Sequence, residues 1–174
     1  MSCLNIAHRG GAGLWPENSL AAFRNAVSLG GDGAELDVQL SRDGEVIVFH
    51  DYRLKTEICR DVGGNWLTRP TPRIKDLTFR ELRSYDIGRA DPTTDYARAH
   101  PDLWPVEGER IPLLSEVIAI AKMSKKPFTL FVELKTSFTE RAVSALPEEL
   151  AEATVAVLKG HDYLRHTVFV GFDW

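Results

Sequence analysis

The stretch from Gly33 to Asp51, GAELDVQLSRDGEVIVFHD, constrains the fold of this chain more than any other. Apolar and polar residues alternate on both sides of Asp43-Gly44. That pair suits a tight turn, because glycine takes positive φ without steric cost and aspartate tolerates it better than most residues. The stretch therefore reads as a β-hairpin. Successive side chains of a strand point to opposite faces, so Glu35 and Asp37 share one face. With a two-residue loop His50 stands opposite Asp37; with a four-residue loop Glu35 takes that place instead. In both registers Leu36, Val38 and Leu40 take the other face, together with Ile47 and Phe49. Two carboxylates and an imidazole thus converge on one patch. Neighbouring carboxylates repel and resist burial unless something positive holds them. A hard divalent cation, magnesium or calcium, accepts such oxygen ligands, whereas zinc more often recruits His or Cys. The plain alternative is a half-exposed strand pair whose polar face meets water.

The elements around the hairpin give its context. Leu4 to Ala7 form a short apolar strand that stops at His8-Arg9-Gly10-Gly11. The following PENSLAAFRNAVSLGG reads as a helix, capped by Asn18 or Ser19, with Leu20, Phe23 and Val27 near helical spacing and Gly30-Gly31 at its end. IPLLSEVIAIAK is helical, with Pro112 in its first turn and an apolar stripe of Leu113, Val117 and Ile120. PFTLFVELKT is a strand with Phe128, Leu130 and Val132 on one face and Thr129, Phe131, Glu133 and Lys135 on the other. PEELAEATVAVLKG is a last helix and TVFVGFDW a last strand. Strand and helix alternate as in a parallel α/β sheet or barrel.

Residues 52 to 110 break that rhythm with five prolines, scattered charge and one short helical piece near Thr78 to Ser84. They read as a surface insertion whose Trp66, Tyr96 and Trp104 either cover a site or pin a long loop to the domain. At 174 residues, with 44% apolar residues and a net charge of −4, the chain has an ordinary globular composition with material for one sizeable core. The mild acidity offers no footprint for nucleic acid. Cys3 and Cys59 have neither disulfide-framework nor metal-site spacing, and no apolar run approaches membrane-spanning length. A cytoplasmic location is the simplest expectation.

His8 ends the first strand, Glu35 and Asp37 lie near the C-terminal end of the second, and Glu133 and Lys135 near that end of a later one. In parallel α/β folds ligands bind at that edge. Taken singly, each has a duller reading: His8 as a hydrogen-bonded core histidine, Arg9 as a surface cation, Lys135 as the ion-pair partner of Glu133. Their coincidence at strand ends favours a site.

The motifs HRG at 8 to 10, PENSLAAF at 16 to 23, ELDVQLSRDGEVIVFHD at 35 to 51, IPLLSEV at 111 to 117 and VELK at 132 to 135 occur in one order across nearly the whole chain. In this the sequence resembles the glycerophosphodiester phosphodiesterase family. The resemblance implies a TIM-type (β/α) barrel with an irregular insertion after the second-strand hairpin. It also implies metal-dependent hydrolysis of glycerophosphodiesters, small-molecule substrates, to an alcohol and glycerol phosphate. By matching position it makes Glu35, Asp37 and Glu133 the ligands of a divalent cation, Mg or Ca, His8 and His50 the acid/base pair, and Arg9 and Lys135 the phosphate contacts. Asn18, in PEN, is left as a structural residue.

Two departures qualify the match. Four main-sheet strands and a return strand fall short of the eight of a barrel, so the expectation for residues 1 to 174 is one domain, the N-terminal portion of a longer barrel. Gly171 stands where family members tend to carry serine before Phe-Asp. The rival readings are a phospholipase D-like or sphingomyelinase D-like lipid phosphodiesterase and a catalytically idle barrel that binds a phosphorylated ligand.

Overall fold

A computed structural model describes residues 3–173. Its centre is a five-stranded sheet in the order β1-β2-β4-β5, with β3 paired to β2. β1 (Ile6–Ala7), β2 (Gly33–Leu40), β4 (Thr129–Leu134) and β5 (Thr167–Val170) run parallel, and β3 (Val46–Val48) runs antiparallel to β2. The helices α1 (Leu20–Ser28), α4 (Leu114–Ala121) and α5 (Pro147–Gly160) lie in the crossovers. Strand, helix and returning parallel strand is the repeating unit of an α/β barrel. The last predicted strand is observed over Thr167–Val170 only, and its Trp174 lies outside the described residues.

The sequence patterning explains these elements. Ser19, not Asn18, caps α1, its hydroxyl accepting from the Ala22 amide at 3.1 Å. Pro112 precedes α4 instead of lying in its first turn, and Pro147 opens α5, where no amide proton is needed. Leu130 and Val132 of β4 are fully buried, as their alternation requires, and join Leu36 and Val38 of β2 under Phe23, Val117, Ile118 and Leu150 from the three helices. This is the main core. Gly33 is obligatory at the crossing of β2 and β4, because a Cβ there would lie 2.2 Å from the Thr129 carbonyl oxygen.

The hairpin register differs from both expected registers. Val38 pairs with Val48 and Leu40 with Val46, which leaves three residues, Arg42 to Gly44, in the loop. Gly44 takes φ +82°, and the Ser41 hydroxyl accepts from the Glu45 amide. A shift of one residue exchanges the faces of the returning strand. Val46 and Val48, not Ile47 and Phe49, therefore share the main core with Leu36 and Val38. Ile47 and Phe49 turn to the opposite side, and His50 lies beyond the strand in a bend.

On that opposite side the 52–110 segment does more than cover a surface. Leu54, Ile58, Cys59, Ile74, Leu82 and Ile87 are all nearly or fully buried, and they pack with Ile47, Phe49 and Ile111 into a second core. Within the segment, α2 (Phe79–Leu82) begins with a Thr78–Glu81 capping box, and α3 (Asp95–Ala99), unanticipated from the sequence, begins at Thr94. Trp66 lies beneath the Arg60 guanidinium, Trp104 is 72% exposed, and the Tyr96 hydroxyl donates to Glu17 in the loop before α1.

Candidate active site

Parallel pairing assembles the acidic centre. Asp37 of β2 is the register partner of Glu133 of β4, so their side chains project the same way from adjacent strands, and Glu35 lies two residues back on the same face. Oxygen atoms of Glu35, Asp37 and Glu133 all lie within 4.8 Å of one another. Burial, then the negative charges of Asp37 and Glu133, push the Glu35 carboxyl up to about 7. Asp37 is wholly buried; its Oδ2 accepts from Asn18 Nδ2 at 2.9 Å, while its Oδ1 has no hydrogen-bond partner among the described residues. Three converging carboxylates, one raised to about 7 by burial first and then by its neighbours' charge, and another with a buried oxygen that no described residue hydrogen-bonds, form a donor set that fits a hard divalent cation.

The turn after β1 supplies the flank. The last rung of β1 is Ala7 with Ala34, so His8 emerges beside Glu35, its Nε2 3.8 Å from Glu35 Oε2. The His8 side chain is 70% exposed, not the core histidine of the duller reading. Arg9 takes φ +48°, a costly conformation for a side-chain-bearing residue. It is pinned there by its amide, which donates to Glu35 Oε2 at 2.9 Å, and by its carbonyl, which accepts from the Asn18 amide at 3.0 Å. Gly10 lets the turn approach α1, since a Cβ would come within 2.9 Å of Ala22 Cβ. The Arg9 guanidinium donates to Glu17 Oε1 at 3.2 Å and faces Asp37 Oδ2 at 3.4 Å. Asn18, set aside from the sequence as structural, contacts Asp37 directly.

Lys135 places its ammonium 2.7 Å from Glu133 Oε1 and 3.8 Å from Asp37 Oδ1. It also lines an open cavity of about 940 Å³ whose other walls include His50, Tyr52, Arg53, Lys55 and Arg69. His50 thus faces the cavity beside Lys135, outside the acidic trio. Its Nδ1 lies 2.5 Å from Asp51 Oδ1. Burial would raise the Asp51 carboxyl, but the His50 hydrogen bond and the charges of Lys55, His50 and Arg9 hold it below the ordinary range. Ionised Asp51 can only accept, so the proton sits on Nδ1 and Nε2 is left for proton exchange. Gln39, buried in β2, donates from Nε2 to the carbonyls of Phe49 and Asp51 at 2.8 and 2.9 Å, gripping the backbone on both sides of His50. Sequence reasoning missed Gln39, Asp51 and Glu17; Gln39 was legible in principle as a third polar residue on the Glu35–Asp37 face.

A profile of the glycerophosphoryl diester phosphodiesterase family matches residues 8–167. The chain belongs to this family. A glycerophosphodiester phosphodiesterase from Caldanaerobacter subterraneus is 32% identical over 94% of this chain and 60% of its own length. A crystal structure that carries the same family name, from Silicibacter pomeroyi, superposes with a TM-score of 0.90 at 32% identity over 97% of this chain and 57% of that one. An Oleispira antarctica phosphodiesterase solved with the product sn-glycerol-3-phosphate gives a TM-score of 0.68 at 28% identity, covering 97% of this chain and 57% of that one. The fold is accordingly the TIM-type barrel of the family, present here as an open arc of strands. The chain spans between 38% and 60% of the length of the curated relatives it matches. Among the described residues no helix is long and apolar enough to cross a membrane.

Proposed function

We propose that the protein acts as a metal-dependent glycerophosphodiester phosphodiesterase, with residues 1–174 forming part of one barrel domain into which 52–110 is inserted. The observation that carries this reading is the Glu35, Asp37 and Glu133 trio, with a buried Asp37 oxygen that no described residue hydrogen-bonds, flanked by Arg9 and Lys135. These three acids would hold the cation, magnesium or calcium; when bound, it supplies Lewis acidity toward a phosphoryl oxygen. Arg9 offers a planar fork and Lys135 a point charge to the phosphate. One of His8 and His50 takes a proton from the attacking oxygen and the other gives one to the leaving alkoxide. The Asp51 partner, by fixing the His50 tautomer, suits that ring to proton exchange through Nε2. The substrate's own hydroxyl is a candidate attacker, closing a cyclic phosphate that water then opens. The product named in the Oleispira complex supports glycerol phosphate as the retained half. Two free cysteines suit a reducing cytoplasm.

A lipid-directed reading has one observation in its favour. Leu14, 49% exposed in the loop that leads from the His8–Gly10 turn, and Trp104, 72% exposed in the 52–110 segment, are joined by a backbone hydrogen bond of 2.7 Å from the Trp104 amide to the Leu14 carbonyl. The cavity walls carry Arg53, Lys55, Arg69 and Lys135, cations suited to an anionic phosphodiester. Release of choline from glycerophosphocholine and from lysophosphatidylcholine by the full-length protein, with magnesium, with calcium and with chelator, tests both. Cation-dependent turnover of glycerophosphocholine above that of the lysolipid is expected. Preference for the lysolipid would shift the reading to a lipid phosphodiesterase, and phosphate-ester binding without turnover would make the protein an idle binder.

A further inference from the structure

We infer that Tyr96, delivered by the 52–110 segment, is a positioning residue that aims the Arg9 guanidinium at the carboxylate centre by holding Glu17. The inference rests on the reading of Arg9 as a phosphate contact. Asp37 Oδ2 forms an ion pair with the buried Arg9 Nε at 3.4 Å but makes no hydrogen bond to it. The side chain that hydrogen-bonds Arg9 is Glu17, through Nη1 at 3.2 Å. Glu17 is 5% exposed, and both of its oxygens are engaged. Oε1 takes Arg9 and, at 3.6 Å, the Lys55 ammonium; Oε2 takes the Tyr96 hydroxyl at 2.7 Å. A carboxylate shared by two cations on one oxygen keeps a fixed plane only if its other oxygen is tied, and Tyr96 is that tie.

Tyr96 is itself held firmly. Lys55 lies over its ring at 4.2 Å, the His100 ring stacks on it at 4.2 Å with 23° between planes, and the His100 Nδ1 is 2.8 Å from the Tyr96 carbonyl oxygen. The contact spans 79 residues of sequence and joins the second core to the strand-end turn. Through it the 52–110 segment reaches Arg9 by way of Glu17.

Tyr96→Phe removes one oxygen and keeps the ring, so the second core is preserved. In the full-length, metal-loaded protein, calorimetric binding of sn-glycerol 3-phosphate should weaken about tenfold, the scale of a lost hydrogen bond to a buried charge. The thermal midpoint should stay close to the parent's, and in an Arg9→Lys background the same change should have no further effect on binding. Glu17→Gln should weaken binding at least as much as Tyr96→Phe. A loss of equal size in both Arg9 backgrounds, or unchanged binding by Glu17→Gln or Tyr96→Phe while Arg9→Lys binds poorly, overturns the inference and leaves the phosphate role of Arg9 standing. Unaltered binding by Arg9→Lys overturns that role and the inference together.

Discussion

At the scale of single residues, the acidic centre was readable because strand parity is a local rule. Glu35 and Asp37 two apart on one strand, and Glu133 on a strand of the same pattern, needed only alternation to be set on one side. His50 was not readable in that way, since its place depends on a loop length that Asp43-Gly44 leaves open, and its ring is steered by Asp51 and by the Gln39 clamp. Three outcomes belong here. His8→Ala and His50→Ala should each lower turnover by about a hundred- to ten-thousand-fold, with unchanged unfolding curves, in a steady-state assay of the full-length protein. Gln39→Ala should cost about 1–3 kcal/mol in urea unfolding, because two inner carbonyls lose their donor, and should also slow turnover through His50. Glu35, raised to about 7, must lose its proton before it can serve as a ligand. Magnesium or calcium affinity of chelator-treated protein should therefore climb from pH 6 to pH 8, with proton release on binding, and Glu35→Gln should flatten that slope. For stability the sign is that of a raised acid: the contribution of Glu35 is fully present below its ordinary value and is lost as pH rises through about 7.

Among the elements, helices with a clear apolar stripe and a cap were legible to within a few residues, as Ser19 and Pro147 show. The returning strand of the hairpin was not. An Asp-Gly pair serves both two- and three-residue loops, and the Ser41 hydroxyl tips the choice by satisfying the Glu45 amide. The 52–110 segment hid its core for another reason: Leu54, Ile58, Ile74, Leu82 and Ile87 come from bends, short helices and isolated bridges, so no period in the sequence announces them. The contact of β2 with β4 is a tight joint. Gly33→Ala forces a Cβ against the Thr129 carbonyl and Ile6, and it should destabilise the protein by about 1–3 kcal/mol in chemical unfolding while loosening cation binding, because Asp37 and Glu133 sit on those two strands.

For the whole molecule, the order of parallel strands and the convergence of chemistry on their C-terminal ends followed from the alternation of strand and helix. What did not follow was the presence of two cores, one on each side of the β2–β3 ribbon. Treatment with a chelator should abolish hydrolysis without unfolding the protein, as read by far-ultraviolet circular dichroism, because the cores owe nothing to the cation. Restoration by magnesium or calcium completes that test, and activity indifferent to chelator would remove the metal from the proposal.

The two-sided ribbon gives this molecule separable inheritances. Its inner carboxylates answer to the helical layer behind them, whereas the wall beside the cavity answers to the later, irregular stretch of chain. Mutations that remodel that wall can redirect which molecules are admitted, provided they spare the Tyr96–Glu17 link to Arg9. A lineage built on such a plan is free to change its diet without relearning its chemistry.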